Sequence, residues 1–295
     1  MKRKTWFWAL TPVAVALSLY GCGNGSDSDL AVDNNAQSCS VVSGTGSAVV
    51  VGSGLPGDPA APEAASGYRL GYKAKQSSNY MVVANTPLAT KAGCDVLKAG
   101  GTAVDAAVAV QAVLGLVEPQ SSTIAGSAFM MYYDAANKKV VAYDGRETAP
   151  AAATGYYLAR QDQSNASSPA PVPSARRSGR SIGVPGVMRM LDMAHKEHGK
   201  LAWAPLFDEG IRLASSGYKI PGRMGDAIRT NAANLQLDAN AVAAYFNADG
   251  TPKTSGTVTT NLPYAQSLRS IASGGAEAMY SGAMADAIVA KAAQS

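Results

Sequence analysis

The sequence predicts a domain of the α+β class, preceded by an N-terminal segment that directs export. Three observations predict this class: two successive helical patterns with start signals, a pair of short apolar runs joined by AANK, and further helical patterns after residue 184. The 295 residues are 47% hydrophobic and 16% charged, which supplies a sizeable core and excludes a disordered chain.

Residues 1–21 have the pattern of a secretory signal peptide. A basic start is followed by an apolar run from Trp6 to Tyr20, which is too short and wrongly flanked for a good membrane span. The end of the segment, LYGC, resembles the lipobox of bacterial lipoproteins, and this resemblance implies cleavage before Cys22 and lipidation of its thiol. The alternative is an ordinary signal peptide with a chance cysteine.

The next residues predict a tether and a location. Residues 22–66 are rich in Gly, Ser, Asp and Pro, which indicates a flexible tether rather than a fold. By the habit of bacterial lipoproteins, Gly23 in place of an acidic residue indicates the outer membrane, so we expect an exported protein anchored on the periplasmic side. Three of the four net positive charges lie in the signal segment. The remaining net charge of +1 gives no indication of nucleic-acid binding.

The other two cysteines are Cys39 in the tether and Cys94 in a predicted helix. An oxidising compartment would permit a bridge between them. Because one lies in a linker and the other in a helix expected to be buried, we expect two free thiols. The chain has no Cys-x-x-Cys pair, and the sequence predicts neither a metal site nor a cofactor.

Two helices open the predicted domain. In the first, Thr86 is the expected N-cap, Pro87 stands in the first turn, and a Gly-Gly pair ends the helix. The second follows Thr102 as its cap. Its run of Ala and Val is apolar nearly all round, which predicts burial on most faces until the helix stops before Pro119.

A β-hairpin is predicted next, because the apolar runs SAFMMYYD and KVVAYDGR flank AANK. This places Arg146 at the C-terminal end of the second strand. One interpretation is a solvated arginine in a turn that pairs loosely with Asp144 or Glu147. The other is a guanidinium held ready for a carboxylate. Spacing alone favours the first.

The rest of the chain predicts a polar surface loop over residues 160–180 and then more helices. PGVMRMLDMAHKEHGK should begin with Pro185 in its first turn, and WAPLFDEGIRLASSGY should end at Gly217. The last group begins with LPYAQSLRS. Its final helix meets no stop signal before Ser295, so we expect the fold to continue beyond that residue.

Other candidate sites are weaker. His195 and His198 lie three apart on one predicted helix and could form a zinc pair, but the neighbouring Lys196 and Glu197 favour a solvated helix face. The glycines of GSGLPG and KAGGTAV lack the spacing of phosphate-binding loops, and they are better explained as tether and helix end. No residue has the surroundings of a nucleophile.

Taken together, several of these motifs resemble the N-terminal half of the γ-glutamyltranspeptidases. The resemblance rests on the helix pair around GGTAVDAAVA, the Phe-Met strand and the turn DGRETAP, with later matches such as SIGVPGVMRMLDMAHKEHGKLAW and GIRLASSGY. It covers the chain from Gly67 to the end. One departure is IAGSAFMM, where members usually have a glycine-rich run, so Ser127 and Ala128 are expected to narrow that loop.

The resemblance implies a partial αββα sandwich of the N-terminal nucleophile hydrolase type, incomplete without a small subunit. In this family the precursor cuts itself in two, and the new N-terminal threonine of the small subunit is the nucleophile. That threonine is expected beyond Ser295, so no catalytic residue is assigned to this chain. Arg146 matches the family arginine that binds the α-carboxylate of the substrate.

The implied activity is that of a γ-glutamyltransferase or glutathione hydrolase. It cleaves the γ-glutamyl amide of glutathione and passes the glutamyl group to water or an amine. The expected partners are γ-glutamyl compounds, the small subunit of the same precursor and the membrane. Residues 67–295 are then a truncated large-subunit portion, expected to be inactive and poorly folded alone. The alternatives are a cephalosporin-type acylase and a non-catalytic lipoprotein or pseudogene product on the same fold.

Overall fold

A computed structural model describes Cys39, residues 77–172 and residues 174–294, and in this part the chain is mixed helix and sheet. The helices are α1 (Pro87–Lys98), α2 (Ala103–Val117), α3 (Val187–His198), α4 (Asp208–Ser216), α5 (Gly222–Thr230), α6 (Ala232–Leu235), α7 (Ala239–Tyr245), α8 (Leu262–Gly274) and α9 (Gly282–Ala293). The strands are β1 (Ala128–Asp134), β2 (Lys139–Gly145), β3 (Tyr218–Lys219) and β4 (Val258–Thr259). The α+β prediction is confirmed. The predicted signal segment and, apart from Cys39, the predicted tether lie outside the described residues.

Helices α1 and α2 begin where their caps predict. The Thr86 hydroxyl accepts the backbone N–H of Ala89, with Pro87 in the first turn. At α2, Thr102 and Asp105 form a reciprocal capping box that satisfies two otherwise unpaired N–H groups. The helix stops at Val117, and most of its residues are buried, as its all-round apolar pattern predicts.

The hairpin also forms as predicted. Strands β1 and β2 pair antiparallel from Ala128 opposite Gly145 to Asp134 opposite Lys139. Side chains alternate across the pair, so Met130, Tyr132 and Tyr143 face the helices while the intervening residues face outward. The Tyr143 hydroxyl donates to a Glu197 carboxylate oxygen at 2.6 Å. Burial, followed by this contact with Glu197, raises the pKa of Tyr143 to about 12.

Two hydrophobic clusters share α2 and α8. The first joins α2 to α3, the inner face of the hairpin and α8, and it contains Val108, Tyr143, Leu191 and Leu268. The second joins α2 to α1, α4 and α5. Helices α2 and α8 therefore connect the cluster around α1 with the cluster around the hairpin. Within the described residues, no helix is both long enough and apolar enough to cross a bilayer.

The expectation of two free thiols is wrong, because Cys39 and Cys94 form a disulfide. Their Cα atoms lie 5.6 Å apart, although the residues are 55 positions apart in the chain. The local pattern around each cysteine describes its own element and holds no information on a contact over that separation. The bridge fastens the predicted tether to α1.

The solvated face expected for the two histidines is also wrong. The His195 side chain is only 14% exposed, and its ring meets Trp203 edge to face at 5.2 Å. His198 stacks on Tyr132 with ring centroids 4.1 Å apart. Only Lys196 and Glu197 between them lie on the exposed side. Neighbouring charges in the sequence do not reveal which side of a helix another element covers.

Smaller differences concern the second half of the chain. Pro185 precedes the N-cap Gly186 of α3 instead of standing in its first turn. The sequence did not predict α5, α6 and α7, which are short, nor the two-residue strands β3 and β4. The C-cap at Gly217, with φ of 105°, is as predicted, because a left-handed conformation favours glycine there.

The side chain of Asp105 links the start of α2 to the segment that follows α3. Its side chain is fully buried and accepts backbone N–H groups of Thr102 at 2.7 Å, of Lys200 at 3.1 Å and of Leu201 at 3.2 Å. His195 Nε2 lies 3.3 Å from the same carboxylate and 3.0 Å from the Leu201 carbonyl. Since both neighbours are acceptors, Nε2 carries the proton. The start of α2 is thus bound to the segment that follows α3.

We expect Asp105→Ala to lower the free energy of unfolding by about 3–5 kcal/mol, because it leaves several buried donors without an acceptor. Denaturant unfolding measures the loss. The matched control is Asp95→Ala on α1, whose carboxylate is half-exposed and, among the described residues, forms an ion pair with Lys91 one turn away. That change should cost less than about 0.5 kcal/mol. Equal losses in the two variants would contradict the linking role of Asp105.

Gly115 of α2 is required by a close contact with α8. A Cβ at this position would lie 2.3 Å from the Tyr264 hydroxyl oxygen, and that hydroxyl donates to the Ala112 carbonyl at 2.9 Å. We expect Gly115→Ala to destabilise the protein by roughly 1–2 kcal/mol, since displacing a buried ring outweighs the gain in helix propensity of about 1 kcal/mol. Gly155→Ala, with open space around its Cβ, is the control and should be near neutral in thermal unfolding. Retained stability in Gly115→Ala would show that the ring moves freely.

Candidate functional site

Arg146 follows the last residue of β2, at the position that the hairpin pattern predicts. Its side chain is 62% exposed. Nε lies 3.2 Å from an oxygen of Glu147, and the backbone N–H of Arg146 donates to the Asp144 carboxylate at 2.9 Å. The local pairing is the one expected for an arginine in a turn. The exposure leaves the guanidinium accessible.

Glu147 is held as an anion beside that guanidinium. Hydrogen bonding from the Ser127 hydroxyl and from the backbone N–H of Glu147 itself lowers the pKa of the carboxyl, and the positive charge of Arg146 acts in the same direction. Its closest approach is to Nε, at one edge of the guanidinium. The edge formed by the two terminal nitrogens has the geometry to hold a second, incoming carboxylate through two parallel hydrogen bonds.

Backbone contacts fix the exit of β2 in place. The Gly126 carbonyl accepts the N–H groups of Gly186 at 3.0 Å and Val187 at 3.1 Å, where α3 begins. A Cβ on Gly186 would lie 2.3 Å from the Gly145 carbonyl oxygen, so this crossing requires glycine. Two residues after Arg146, Thr148 forms an isolated antiparallel β-bridge with Val184. The backbone is therefore held in place both before Arg146, at Gly145, and after it, at Thr148.

The outward face of the hairpin is apolar and exposed. Phe129, Met131 and Tyr133 of β1 and Val140 of β2 are each 60–69% exposed. Register pairs Met131 with Ala142 and Tyr133 with Val140, so these side chains form one continuous surface. Contiguous exposed apolar surface of this kind marks a face that packs against another element or chain.

A groove of about 490 Å³ lies between the 179–185 segment and α9, on the far side of the Thr148–Val184 bridge. Its walls are mainly apolar, with Ile182, Tyr280 and Ile288 among them. Among the described residues, no group of three or more His, Cys, Asp or Glu side chains is placed to hold a metal ion. His195 and Asp105 form a buried pair, but the Nε2 proton is bound to acceptors of the fold itself.

Comparisons with known proteins define the family. The gamma-glutamyltranspeptidase family profile matches residues 89–295, and the chain belongs to this family. Glutathione hydrolase 3 of Arabidopsis thaliana is 36% identical over 215 residues, which are 72% of this chain and 32% of that protein. The chain therefore spans about a third of the length of this curated relative.

Solved structures agree with the family. The gamma-glutamyltranspeptidase of Helicobacter pylori superimposes with a TM-score of 0.67 at 27% identity, covering 73% of this chain and 60% of that one. A cephalosporin acylase from Bacillus halodurans superimposes with a TM-score of 0.57 at 28% identity, covering 69% and 37%. The structural neighbours thus include γ-glutamyltranspeptidases, which have the N-terminal nucleophile hydrolase fold.

The predicted site residues have different outcomes. Arg146 stands where predicted, whereas Cys22 lies outside the described residues and the expectation of a nucleophile beyond Ser295 stays a prediction. From the sequence, Ser127 was expected to narrow a loop and Glu147 to pair loosely with Arg146, but their contact with each other beside the guanidinium was not foreseen. A signal was present in the sequence: Ser127 directly precedes β1 and Arg146 directly follows β2, so continuing the Ala128–Gly145 register by one residue places the two opposite each other.

Proposed function

We propose that this chain is the N-terminal part of a γ-glutamyltransferase or glutathione hydrolase, and that Arg146 binds the α-carboxylate of the γ-glutamyl donor. The observation that carries the proposal is the exposed guanidinium at the exit of β2, within the region that matches the family. Glu147 engages one edge of that guanidinium and leaves the other for substrate.

The proposed reaction is acyl transfer through a threonine that lies beyond Ser295. The threonine hydroxyl oxygen attacks the γ-carbonyl carbon while a base, which we propose is the threonine α-amine, takes its proton. The amide C–N bond then breaks, and the leaving amine takes up a proton. Water or an acceptor amine attacks the resulting ester and releases the glutamyl group. The role of Arg146 is to hold the α-carboxylate so that the γ-carbonyl is placed for attack.

The exposed hairpin face supports the rest of the proposed fold. In an αββα sandwich the outward face of this sheet would pack against a second sheet, which we propose is supplied with the small subunit. Covering Phe129, Met131 and Tyr133 would bury the apolar surface that is open here. The hairpin and the helices behind it would then form one half of the sandwich.

A cephalosporin-type acylase is the second candidate, favoured by the similarity to the Bacillus halodurans enzyme. A glutaryl group carries its free carboxylate at the same distance from the scissile carbonyl as a γ-glutamyl group does. Arg146 suits both, and the two donors differ only in the α-amino group. Comparing kcat/KM for γ-glutamyl and glutaryl donors therefore separates the candidates. A protein with no acyl-transfer activity would instead support a non-catalytic lipoprotein.

We expect Arg146→Ala, in the protein that carries the complete family domain, to lower kcat/KM for a γ-glutamyl donor by roughly 30-fold to several thousand-fold. The physical basis is that losing one partner of a desolvated charge pair costs about 2–5 kcal/mol. Arg146→Lys keeps the charge but not the planar fork, so it should recover only part of the loss. Steady-state kinetics measures both variants.

The control for this prediction is the substrate. A donor whose α-carboxylate is amidated should already react slowly with the wild type and should be nearly insensitive to the mutation, because the contact is absent in both. Self-cleavage into subunits should proceed in both variants. If Arg146→Ala slows acid and amide donors equally, Arg146 is a structural turn residue.

Lipid anchoring at Cys22 is also proposed, on the basis of the signal segment and LYGC. We expect Cys22→Ser to move the protein from the outer-membrane fraction into the soluble periplasmic fraction, because a lipid chain would be the attachment to the bilayer. Fractionation followed by immunoblotting measures the distribution. A wild-type protein that is already soluble would contradict anchoring.

A further inference from the structure

We propose that Ser127 is a positioning residue for the γ-glutamyl donor, because it holds Glu147 and Glu147 in turn orients the Arg146 guanidinium toward the substrate carboxylate. The inference rests on the proposed function, since it concerns the same arginine. Ser127 acts through Glu147 and is not itself a catalytic residue. The two residues meet at the end of the hairpin away from its turn, one just before β1 and the other just after Arg146.

The guanidinium of Arg146 needs a support of its own. Backbone contacts hold the strand exit at Gly145 and Thr148, but they reach only the Cα of Arg146. The side chain beyond Cα is long, flexible and mostly exposed. Without support it would sample many rotamers, and ordering it on binding would weaken the affinity for a carboxylate. A contact that orders the guanidinium in the free protein removes much of that loss.

Glu147 supplies such a contact at one edge of the guanidinium. Its Oε2 lies 3.2 Å from Arg146 Nε. Although the Glu147 side chain as a whole is 37% exposed, this oxygen is shielded from solvent. Attraction between opposite charges is stronger where water is excluded, so the pair differs from an ordinary surface contact between sequence neighbours. The contact orients the guanidinium only as well as the carboxylate itself is fixed.

Ser127 fixes the carboxylate from across the hairpin. Its hydroxyl donates to Glu147, and this hydrogen bond is the largest of the contributions that lower the pKa of the carboxyl. Ser127 is itself tightly placed, because the preceding Gly126 carbonyl accepts two N–H groups at the start of α3. The following residue, Ala128, pairs with Gly145 in the hairpin register. The hydroxyl is therefore carried by backbone that is fixed on both sides.

Gly183 holds the stem of the same side chain. A Cβ on Gly183 would lie 2.8 Å from Cγ of Glu147 and 2.9 Å from its Cβ, so the stem packs directly against glycine backbone. The next residue, Val184, donates its N–H to the Thr148 carbonyl at 2.9 Å, which keeps the two segments together. Glu147 is thus held at its carboxylate by Ser127 and along its stem by Gly183.

The consequence is a fixed direction for the free edge of the guanidinium. With Nε directed at Glu147, the edge formed by the two terminal nitrogens remains for two parallel hydrogen bonds to a carboxylate. A bidentate pair requires this planar alignment, whereas the attraction of a point charge does not. Ser127 should therefore matter for donors that carry a free α-carboxylate and not for donors that lack one.

The first experiment measures the steady-state kinetics of Ser127→Ala in the protein that carries the complete family domain. We expect KM for a γ-glutamyl donor to rise roughly 2- to 12-fold with little change in kcat, which is the range for ordering one flexible side chain on binding. The matching α-amide donor should be nearly insensitive, because it lacks the group that Arg146 binds. Ser127→Thr keeps the hydroxyl and should restore most of the affinity.

The matched control is Ser122→Ala. Ser122 is a half-buried serine just upstream of Ser127, and its hydroxyl contacts the Gln111 side-chain amide at 3.1 Å. Its removal costs this segment a hydrogen bond without touching Glu147, so KM for both donors should stay near the wild-type value. If Ser122→Ala raises KM as much as Ser127→Ala does, the effect comes from loosening of the segment and the inference is wrong.

A second variant approaches Glu147 from its other contact. Gly183→Ala leaves Ser127 and Arg146 unchanged but places a methyl group where the Glu147 stem now lies. We expect the same selective rise in KM for the donor with a free α-carboxylate. Calorimetric titration with glutamate and with its α-amide measures this selectivity without chemistry. Both Gly183→Ala and Ser127→Ala should bind glutamate more weakly and leave binding of the amide unchanged.

The results separate this inference from the proposed function. If Arg146→Ala shows its selective loss for the donor with a free α-carboxylate and Ser127→Ala does not, the positioning role is wrong and the proposed function stands. If Arg146→Ala affects both donors equally, the binding role of Arg146 fails, and positioning through Ser127 fails with it. A loss in Ser127→Ala that is equal for both donors, or that Ser127→Thr does not reverse, would likewise overturn the inference.

Discussion

The contact on which the arrangement depends most is the buried carboxylate of Asp105. It caps α2, receives the backbone N–H groups of Lys200 and Leu201, and lies 3.3 Å from His195. A buried anion is tolerated only when its oxygens are satisfied, so these donors must all be in place together. Because these donors come from both elements, satisfying Asp105 fixes the position of the C-terminal end of α3 relative to the start of α2. Since α3 carries the inner face of the hairpin, the same requirement positions β2 and its exit.

The hairpin exit shows how backbone, rather than side chains, places a functional group. Gly186 lies against Gly145 in a crossing too tight for any Cβ, and the Gly126 carbonyl binds the start of α3. These contacts involve no charge and do not depend on the identity of a substrate. They leave the Arg146 side chain exposed while holding its Cα, which would limit the conformational entropy lost in the carboxylate binding that we propose.

Local elements were predictable from the sequence, and contacts between them were not. Thr86, Thr102 and the runs beside AANK act through neighbours one to four residues away, so their positions are visible in the sequence. The Cys39–Cys94 bridge spans 55 residues, and the burial of His195 depends on Asp105 and Trp203 from other segments. Short helices such as α6 have too few turns to give a clear periodicity. For the site, the strand-end position of Arg146 and its local pairing with Glu147 were predictable, whereas the contact between Ser127 and Glu147 required the register of the hairpin.

The open hairpin has a consequence for the order in which the protein matures. Both strands of a two-stranded sheet are edge strands, and here they also carry Phe129, Met131 and Tyr133 on an exposed face. Unpaired edges beside an apolar surface are templates for association with other chains. If the hairpin forms before another segment or chain covers this face, the nascent chain passes through a stage in which it is prone to aggregate and is a suitable client for a chaperone. The timing of synthesis and folding would then determine yield as much as the final stability does.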